Sequence, residues 1–360
     1  LPVLLALLHA PSTKRAETDR TNTFRIRSPY RLEALAQTQQ PHQHPHDHWA
    51  VWQDHHMTGV GLCVPQLGPH VTADVVRRFA ERAEHLGFSS LWVQDHFLYV
   101  PEPENGYGNF PGVAPPPQYR SVWQPLELLA ALAAWTSRMT LGTSVLVTGN
   151  HWPVPLAARL ATLDQLCGGR LVVGLGAGWS KEEHTATGTD FHRRGDRMED
   201  FLAVLEACWG DDPVQHDGPF FQIPPSSMNP KPVRIPNGRT RPLLISGLWS
   251  ERGLERTVRH FDGWNPAGLP AETVAQQIAV MNERRASLGL DPLSVWQRAF
   301  ISFPLRPERA QPGIEGLRTD LAVARRHGFD EFIIECNFWE ALDSPGAWEA
   351  VPEHLATLLD

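Results

Sequence analysis

Two stretches carry residue types that could do chemistry. The first is Gln94-Asp95-His96-Phe97, where an acid and an imidazole follow a short apolar run. An imidazole so placed can move a proton near neutral pH. It can equally be a structural histidine bonded to backbone. The second stretch is Cys167-Gly168-Gly169-Arg170-Leu171-Val172-Val173-Gly174-Leu175-Gly176-Ala177-Gly178-Trp179. Gly168 and Gly169 read as a helix stop, because glycine takes the left-handed cap conformation without steric cost. Residues 171–175 have the length and composition of a buried strand. Gly174, Gly176 and Gly178 let backbone amides approach a ligand closely, and such a nest suits a phosphate. The same glycines could serve only to turn the chain. The spacing is not the dinucleotide fingerprint, since the third glycine comes one residue early and no acidic residue stands at the ribose spacing.

The elements that must position these residues follow a regular alternation. Strands are expected at 59–64, 88–93, 139–147, 171–175, 242–246, 263–267, 295–303 and 330–336. Helices are expected at 72–86, 125–135, 153–166, 197–209, 251–259, 271–288, 314–327 and 348–359. Thr72 caps the first of these, Gly87 ends it, and Pro125 opens the second. A long Pro-, Gly- and Tyr-rich loop fills 98–123, and loops of that length inside a compact domain are commonly lids or binding loops. The segment 214–223, centred on Asp217-Gly218, reads as a hairpin, and the Pro-rich 224–240 as an insertion. The stretch between the glycine turn and residue 197, holding His184 and His192, reads as a polar loop.

Eight strands alternating with eight helices require parallel strands joined by crossovers. The expected fold is an α/β TIM barrel, with an open doubly wound sheet as the alternative. In a barrel the residues at strand C-terminal ends face the active site. These are Pro65 and Gln66, Asp95 and His96, Ser144 and Val145, Gly176 to Trp179, Ser246 and Gly247, Trp264 and Asn265, and Glu335 to Asn337.

Composition narrows the function classes. The chain has 360 residues and 42% hydrophobic content, enough to bury a sizeable core. A net charge of −8 argues against nucleic acid or an anionic membrane as a partner. Cys63, Cys167, Cys208 and Cys336 show no paired or zinc-type spacing, and read as reduced buried thiols of a cytoplasmic protein. Residues 1–56 are expected to be a disordered extension, because the apolar run 1–8 is too short to span a membrane and the Gln- and His-rich tract after it cannot form a core. The folded domain is expected to occupy 57–360. Metal-dependent hydrolysis is disfavoured, since many of the 17 histidines cluster in that tail and are not paired with carboxylates at strand ends.

Several stretches together resemble the luciferase-like monooxygenase superfamily, and within it the branch using the deazaflavin coenzyme F420. They are Leu86-Gly87-Phe88-Ser89-Ser90-Leu91-Trp92-Val93-Gln94-Asp95-His96-Phe97, Leu141-Gly142-Thr143-Ser144-Val145-Leu146, Leu163-Asp164-Gln165-Leu166 running into Gly168-Gly169-Arg170, Gly174-Leu175-Gly176-Ala177-Gly178-Trp179, and Asp262-Gly263-Trp264. The resemblance implies a TIM barrel, a flavin or deazaflavin across the strand C-termini, a small-molecule substrate and a homodimer. It implies that Asp95 and His96 stand at the reacting centre, with His96 moving a proton while hydride passes to or from the cofactor. It implies a non-proline cis peptide at Ser144-Val145 behind the ring. Gly176, Ala177, Gly178 and Trp179, with Ser246 and Gly247, match backbone on the phosphate side of the cofactor.

The chain also departs from the family pattern. Some deazaflavin sugar dehydrogenases carry glutamate where this chain has Trp179, and tryptophan where it has Val100, so sugar-phosphate oxidation is not expected. His151 stands where many relatives have arginine. Beside deazaflavin hydride transfer, the alternatives are a monooxygenase using reduced FMN and oxygen, and a non-catalytic flavin-binding protein.

Overall fold

The computed structural model describes residues 57–234, 238–302 and 313–360. The expected disordered extension at 1–56 lies outside them. Strand β1 (Gly59–Cys63) leads to helix α1 (Ala73–Leu86) and strand β2 (Ser90–Val93). The Thr72 hydroxyl accepts the Val75 amide at the start of α1, and Gly87 closes the helix at φ +97°. Helix α2 (Pro125–Trp135), strands β3 (Thr140–Thr143) and β4 (Leu146–Val147), helix α3 (Pro153–Leu166) and strand β5 (Leu171–Gly176) follow. Both helices open on proline, whose missing amide costs nothing in a first turn.

Next come helices α4 (Lys181–Ala186) and α5 (Arg194–Trp209) and the hairpin strands β6 (Val214–Asp217) and β7 (Gln222–Ser226). Strand β8 (Leu243–Ser246), helix α6 (Glu251–His260), strand β9 (Gly263–Trp264), helix α7 (Ala271–Ser287) and strand β10 (Ser294–Phe300) continue the alternation. Helix α8 (Gly313–Arg326), strand β11 (Glu331–Glu335) and helices α9 (Pro345–Glu349) and α10 (Val351–Leu355) complete it.

The parallel strands run in the order β3-β2-β1-β11-β10-β9-β8-β5, and β3 also pairs with β5 through Leu141↔Leu171 and Gly142↔Val172. That last pairing closes the sheet into a barrel and removes the doubly wound alternative, which needs two free edges.

The interior is layered. Near the strand N-termini the Glu331 carboxyl lies between the Ser89 and Ser90 hydroxyls, both donating to it. Above it Trp92 and Trp296 fill the barrel with ring centroids 5.6 Å apart, beside Cys63, Val172, Ile245 and Ile333. Gly142 is required here, because a Cβ would collide with the Trp92 ring. At the mouth Leu67, Tyr119, Phe300 and Phe338 form a third cluster. The main core lies outside the barrel, between strands and helices.

Four local expectations are corrected. The third strand is not continuous: a cis peptide between Ser144 and Val145 divides it into β3 and β4. The polar loop after the glycine turn holds helix α4, capped by Ser180, whose hydroxyl accepts the Glu183 amide. The hairpin turn is wider than expected, since the Asp200 carboxylate takes the Phe220 and Phe221 amides and holds the chain open there. The last helix breaks at Ala350, because Pro352 has no amide to continue it.

Candidate active site

A cavity of about 480 Å³ opens at the C-terminal ends of the strands. Segments following β2, β3, β5, β8, β9 and β11 reach it, as do Arg298 and Phe300 of β10. The chemistry on its wall can be built residue by residue.

The end of β2 is fixed first. Gln66 uses both ends of its side-chain amide on the Gln94 backbone, donating to its carbonyl at 2.6 Å and accepting from its amide at 2.7 Å. This holds the β1 and β2 ends together and delivers Asp95 and His96 to fixed places. The Asp95 carboxylate accepts the Val147 amide at 2.9 Å and the His151 Nε2 hydrogen at 2.9 Å, with Asn150 Nδ2 at 3.4 Å. Asp95 lines the cavity, but its Oδ2 is committed to the segment that follows the cis peptide.

His96 is 8% exposed and engaged at both nitrogens. Its Nδ1 lies 3.0 Å from Glu183 Oε1, and Trp179 Nε1 donates to its Nε2 at 3.1 Å. The indole can only donate, so Nε2 bears a lone pair and the ring hydrogen sits on Nδ1. Glu183 Oε1 also takes the Phe97 and Leu98 amides at 2.9 and 3.1 Å. Burial pushes the Glu183 carboxyl up, but the His96 imidazole and those amides outweigh it and hold it below the usual carboxylate range. The unit is an imidazole oriented by an ionised acid, the arrangement of a general base or acid.

Aromatic rings frame this imidazole. Tyr119 meets it edge-on at 4.8 Å, Trp179 lies tilted to it at 5.3 Å, and Tyr107 packs on both of those rings. Phe338 adjoins Tyr119 at 5.6 Å. Tyr119 donates to Gln94 Oε1 at 3.1 Å, and burial pushes its hydroxyl pKa well up.

The floor holds a buried polar network. Arg298 donates to the Ser144 carbonyl and to the Glu335 carboxylate, while Ser144 donates to Asn265 Oδ1 at 2.6 Å. Burial opposes the Arg298 charge, yet Glu335 beside it drives its pKa above the ordinary arginine value. The Ser144-Val145 bulge is therefore braced from inside the barrel by Arg298 and Asn265.

The glycine turn and the start of α6 also line the cavity. Gly176 and Gly247 flank Val145: a Cβ at Gly176 would stand 2.7 Å from its Cγ2, and one at Gly247 2.9 Å from its Cγ1. Gly178, at φ +81°, turns the chain so that Trp179 reaches the imidazole. Ser250 caps α6 and lines the cavity, as does Arg194, which stacks on Phe191 at 3.8 Å. Backbone amides, a helix N-terminus and a guanidinium on a cavity wall are groups that can bind an anion.

Of the residues expected from sequence, Asp95, His96, Ser144, Val145, Gly176, Ala177, Gly178, Trp179 and Gly247 all line this one cavity. Ser246 does not: its hydroxyl is fully buried against Thr257 at 2.7 Å and accepts the Leu248 amide. Sequence reasoning did not assign Glu183, Arg298 or Arg194, whereas Tyr107, Phe110 and Tyr119 of the long loop, whose aromatic content suggests an apolar or planar ligand, do line the cavity. For Glu183 a signal existed, because Ser180 and Glu183 have the S-x-x-E spacing of a helix start. Arg298 had none, being one arginine inside a buried strand.

The family model described as luciferase-like monooxygenase matches residues 54–352. An uncharacterised protein of Mycobacterium tuberculosis is 33% identical over 216 residues, 59% of this chain and 74% of that one. The F420-dependent glucose-6-phosphate dehydrogenase of Amycolatopsis mediterranei is 32% identical over 178 residues, 48% of each chain. Among solved structures, an F420-dependent secondary alcohol dehydrogenase in complex with an F420-acetone adduct superposes with TM-score 0.63 at 16% identity, covering 84% of this chain and 100% of that one. The long-chain alkane monooxygenase LadA superposes with TM-score 0.65 at 14% identity, covering 84% and 91%. At such identities the two structures establish a shared fold.

Proposed function

The chain belongs to the luciferase-like monooxygenase family, and from that premise we propose that it transfers hydride between the deazaflavin F420 and a small organic substrate, with His96 handling the proton. The observation that carries this reading is the His96–Glu183 pair on the wall of the cavity that also holds the Ser144-Val145 bulge and the glycine turn.

The residues present fit such a cofactor. Gly176 and Gly247 leave bare backbone around Val145, a surface that added side chains would fill. The turn at Gly176 to Gly178, Arg194, and Ser250 at the start of α6 supply donors for a phosphate-bearing side chain. Ser144 and Val145, braced by Arg298 and Asn265, would support the ring. When bound, a deazaflavin takes up or gives a hydride and reacts poorly with oxygen. The protein's part is then to orient the substrate and to hold or move one proton at His96 Nε2.

Support for the deazaflavin over FMN comes from the relatives named F420-dependent glucose-6-phosphate dehydrogenase, at 32–33% identity. Sugar phosphate is not the proposed substrate. Trp179 and Val100 stand at the positions where some sugar dehydrogenases of that branch carry glutamate and tryptophan, and the cavity beside His96 is walled by Tyr107, Tyr119 and Phe338. An apolar or planar molecule fits that wall better than a sugar.

The test is a fluorescence titration with F420 and with FMN in parallel, followed by single-turnover absorbance of reduced and oxidised F420 against a panel of small alcohols, ketones and unsaturated carbonyl compounds. Tight binding of F420 and weak binding of FMN is the expected result. Tight FMN binding with substrate-dependent oxygen uptake would replace this reading with a monooxygenase.

A further inference from the structure

His96 has no nitrogen to spare. Nδ1 is committed to Glu183, and Nε2 accepts the Trp179 indole hydrogen at 3.1 Å. Any ligand that engages this imidazole must therefore displace the indole from Nε2. We propose that Trp179 is a latch on His96: its N–H caps the one lone pair of the imidazole and yields it to a ligand O–H or N–H.

The attachments of Trp179 suit a part that moves with the long loop. Gly178, at φ +81°, sets its direction, and a Cβ there would meet Val147 at 2.6 Å. Asn105 of the loop donates to the Trp179 carbonyl at 2.5 Å, and Tyr107 of the same loop packs edge-on against its ring at 5.1 Å. The loop is joined to α4 again through the Glu104 amide on Glu182 Oε1 at 2.7 Å and the Lys181–Glu104 ion pair at 2.5 Å. A ligand seated in the cavity against Tyr107 disturbs the loop and the indole together. Because Nε2 is an acceptor, the releasing ligand is a hydrogen-bond donor, most simply a hydroxyl on a flat apolar frame. An ether or hydrocarbon of the same shape leaves the latch closed.

Trp179 is here a positioning residue. The idea rests on His96 as the proton-handling group, but its experiment reads the imidazole directly, without cofactor or turnover, so the two readings can fail separately. Diethylpyrocarbonate acylates the unprotonated imidazole nitrogen, and peptide mass analysis assigns the modification to His96. In the full chain, Trp179→Phe keeps the aromatic bulk and removes the N–H. Acylation of His96 is expected to accelerate about three- to tenfold, the effect of losing one hydrogen bond. In that variant phenol should protect His96 more than anisole does. An unchanged acylation rate, or equal protection by the two probes, overturns the proposal. Should Trp179→Phe fail to fold, Asn105→Ala releases the Trp179 backbone without touching the imidazole and should accelerate acylation in the same direction. In the native protein, long-range ¹⁵N spectra must show Nε2 of His96 as an unprotonated acceptor; a hydrogen on Nε2 also overturns it.

Discussion

The Nδ1 atom of His96 and the Oε1 atom of Glu183 lie 3.0 Å apart, although 87 residues separate them in the chain. One residue ends the β2 strand region, and the other lies in the short helix after β5. Their meeting fixes the orientation of the imidazole, as the proposed proton transfer requires. The same Glu183 oxygen takes the Phe97 and Leu98 amides where the long loop begins, so imidazole orientation and loop position are set together.

Glu183→Gln keeps the shape and removes the charge that fixes the imidazole hydrogen on Nδ1. On the proposed hydride transfer, the expected outcome is a fall in kcat of about 10²-fold or more with cofactor affinity within about twofold of native. Steady-state rates and a parallel binding titration check it. Full activity in this variant would remove Glu183 from the mechanism.

His96→Ala removes the proposed proton carrier. Turnover should fall by about 10²- to 10⁴-fold while cofactor binding persists. Pre-steady-state absorbance of the cofactor would show whether the loss is in hydride transfer. Equal loss of binding and rate would instead mark His96 as part of the cofactor cradle.

Asp95 binds the Val147 amide and His151, and so holds the segment after the cis peptide. Asp95→Asn leaves these donors facing a weaker partner. Cofactor affinity should drop by about tenfold, the equivalent of one charged hydrogen bond. A change in kcat at unchanged affinity would argue for direct chemistry by Asp95.

Gly174→Ala should be far more disruptive than its size suggests. A Cβ there would run into the Thr143 carbonyl oxygen, which is barrel backbone and cannot swing aside. The expected cost is about 1–3 kcal/mol or more, visible as a lowered Tm. Gly346→Ala, with open space around its Cβ, should leave Tm unchanged within error.

Glu331 makes stability depend on pH. Burial raises its carboxyl from 4.5 to about 7, against the opposing pull of Ser89 and Ser90. Between those two values the folded state binds a proton that the unfolded chain has released, so stability falls as pH rises from the unfolded value through about 7. The loss amounts to about 3 kcal/mol once the group ionises in the barrel. Denaturant titrations at pH 5 and pH 8.5 should show the difference, and Glu331→Gln should flatten it. An unaltered pH dependence in that variant would mean that other groups dominate.

Much of this protein is determined by short-range signals in its sequence. Thr72, Gly87, Pro125 and Pro153 fix helix ends because capping and proline geometry act within one turn of the chain. The alternation of apolar runs and helices requires parallel strands, and so places Asp95, His96, Ser144, Gly176 and Gly247 at one end of a sheet. The sequence did not determine which side chains would meet there. Ser246 follows the same strand-end rule yet turns to Thr257. Glu183 and Trp179 reach His96 only because β3 pairs with β5, closing the barrel and bringing two distant loops over one cavity. Arg298 and Glu335 find each other and the Ser144 carbonyl inside that closed ring. Local propensity can say that a residue stands at the mouth of a barrel; hydrogen-bond partners around the ring depend on closure and packing, which no local stretch contains.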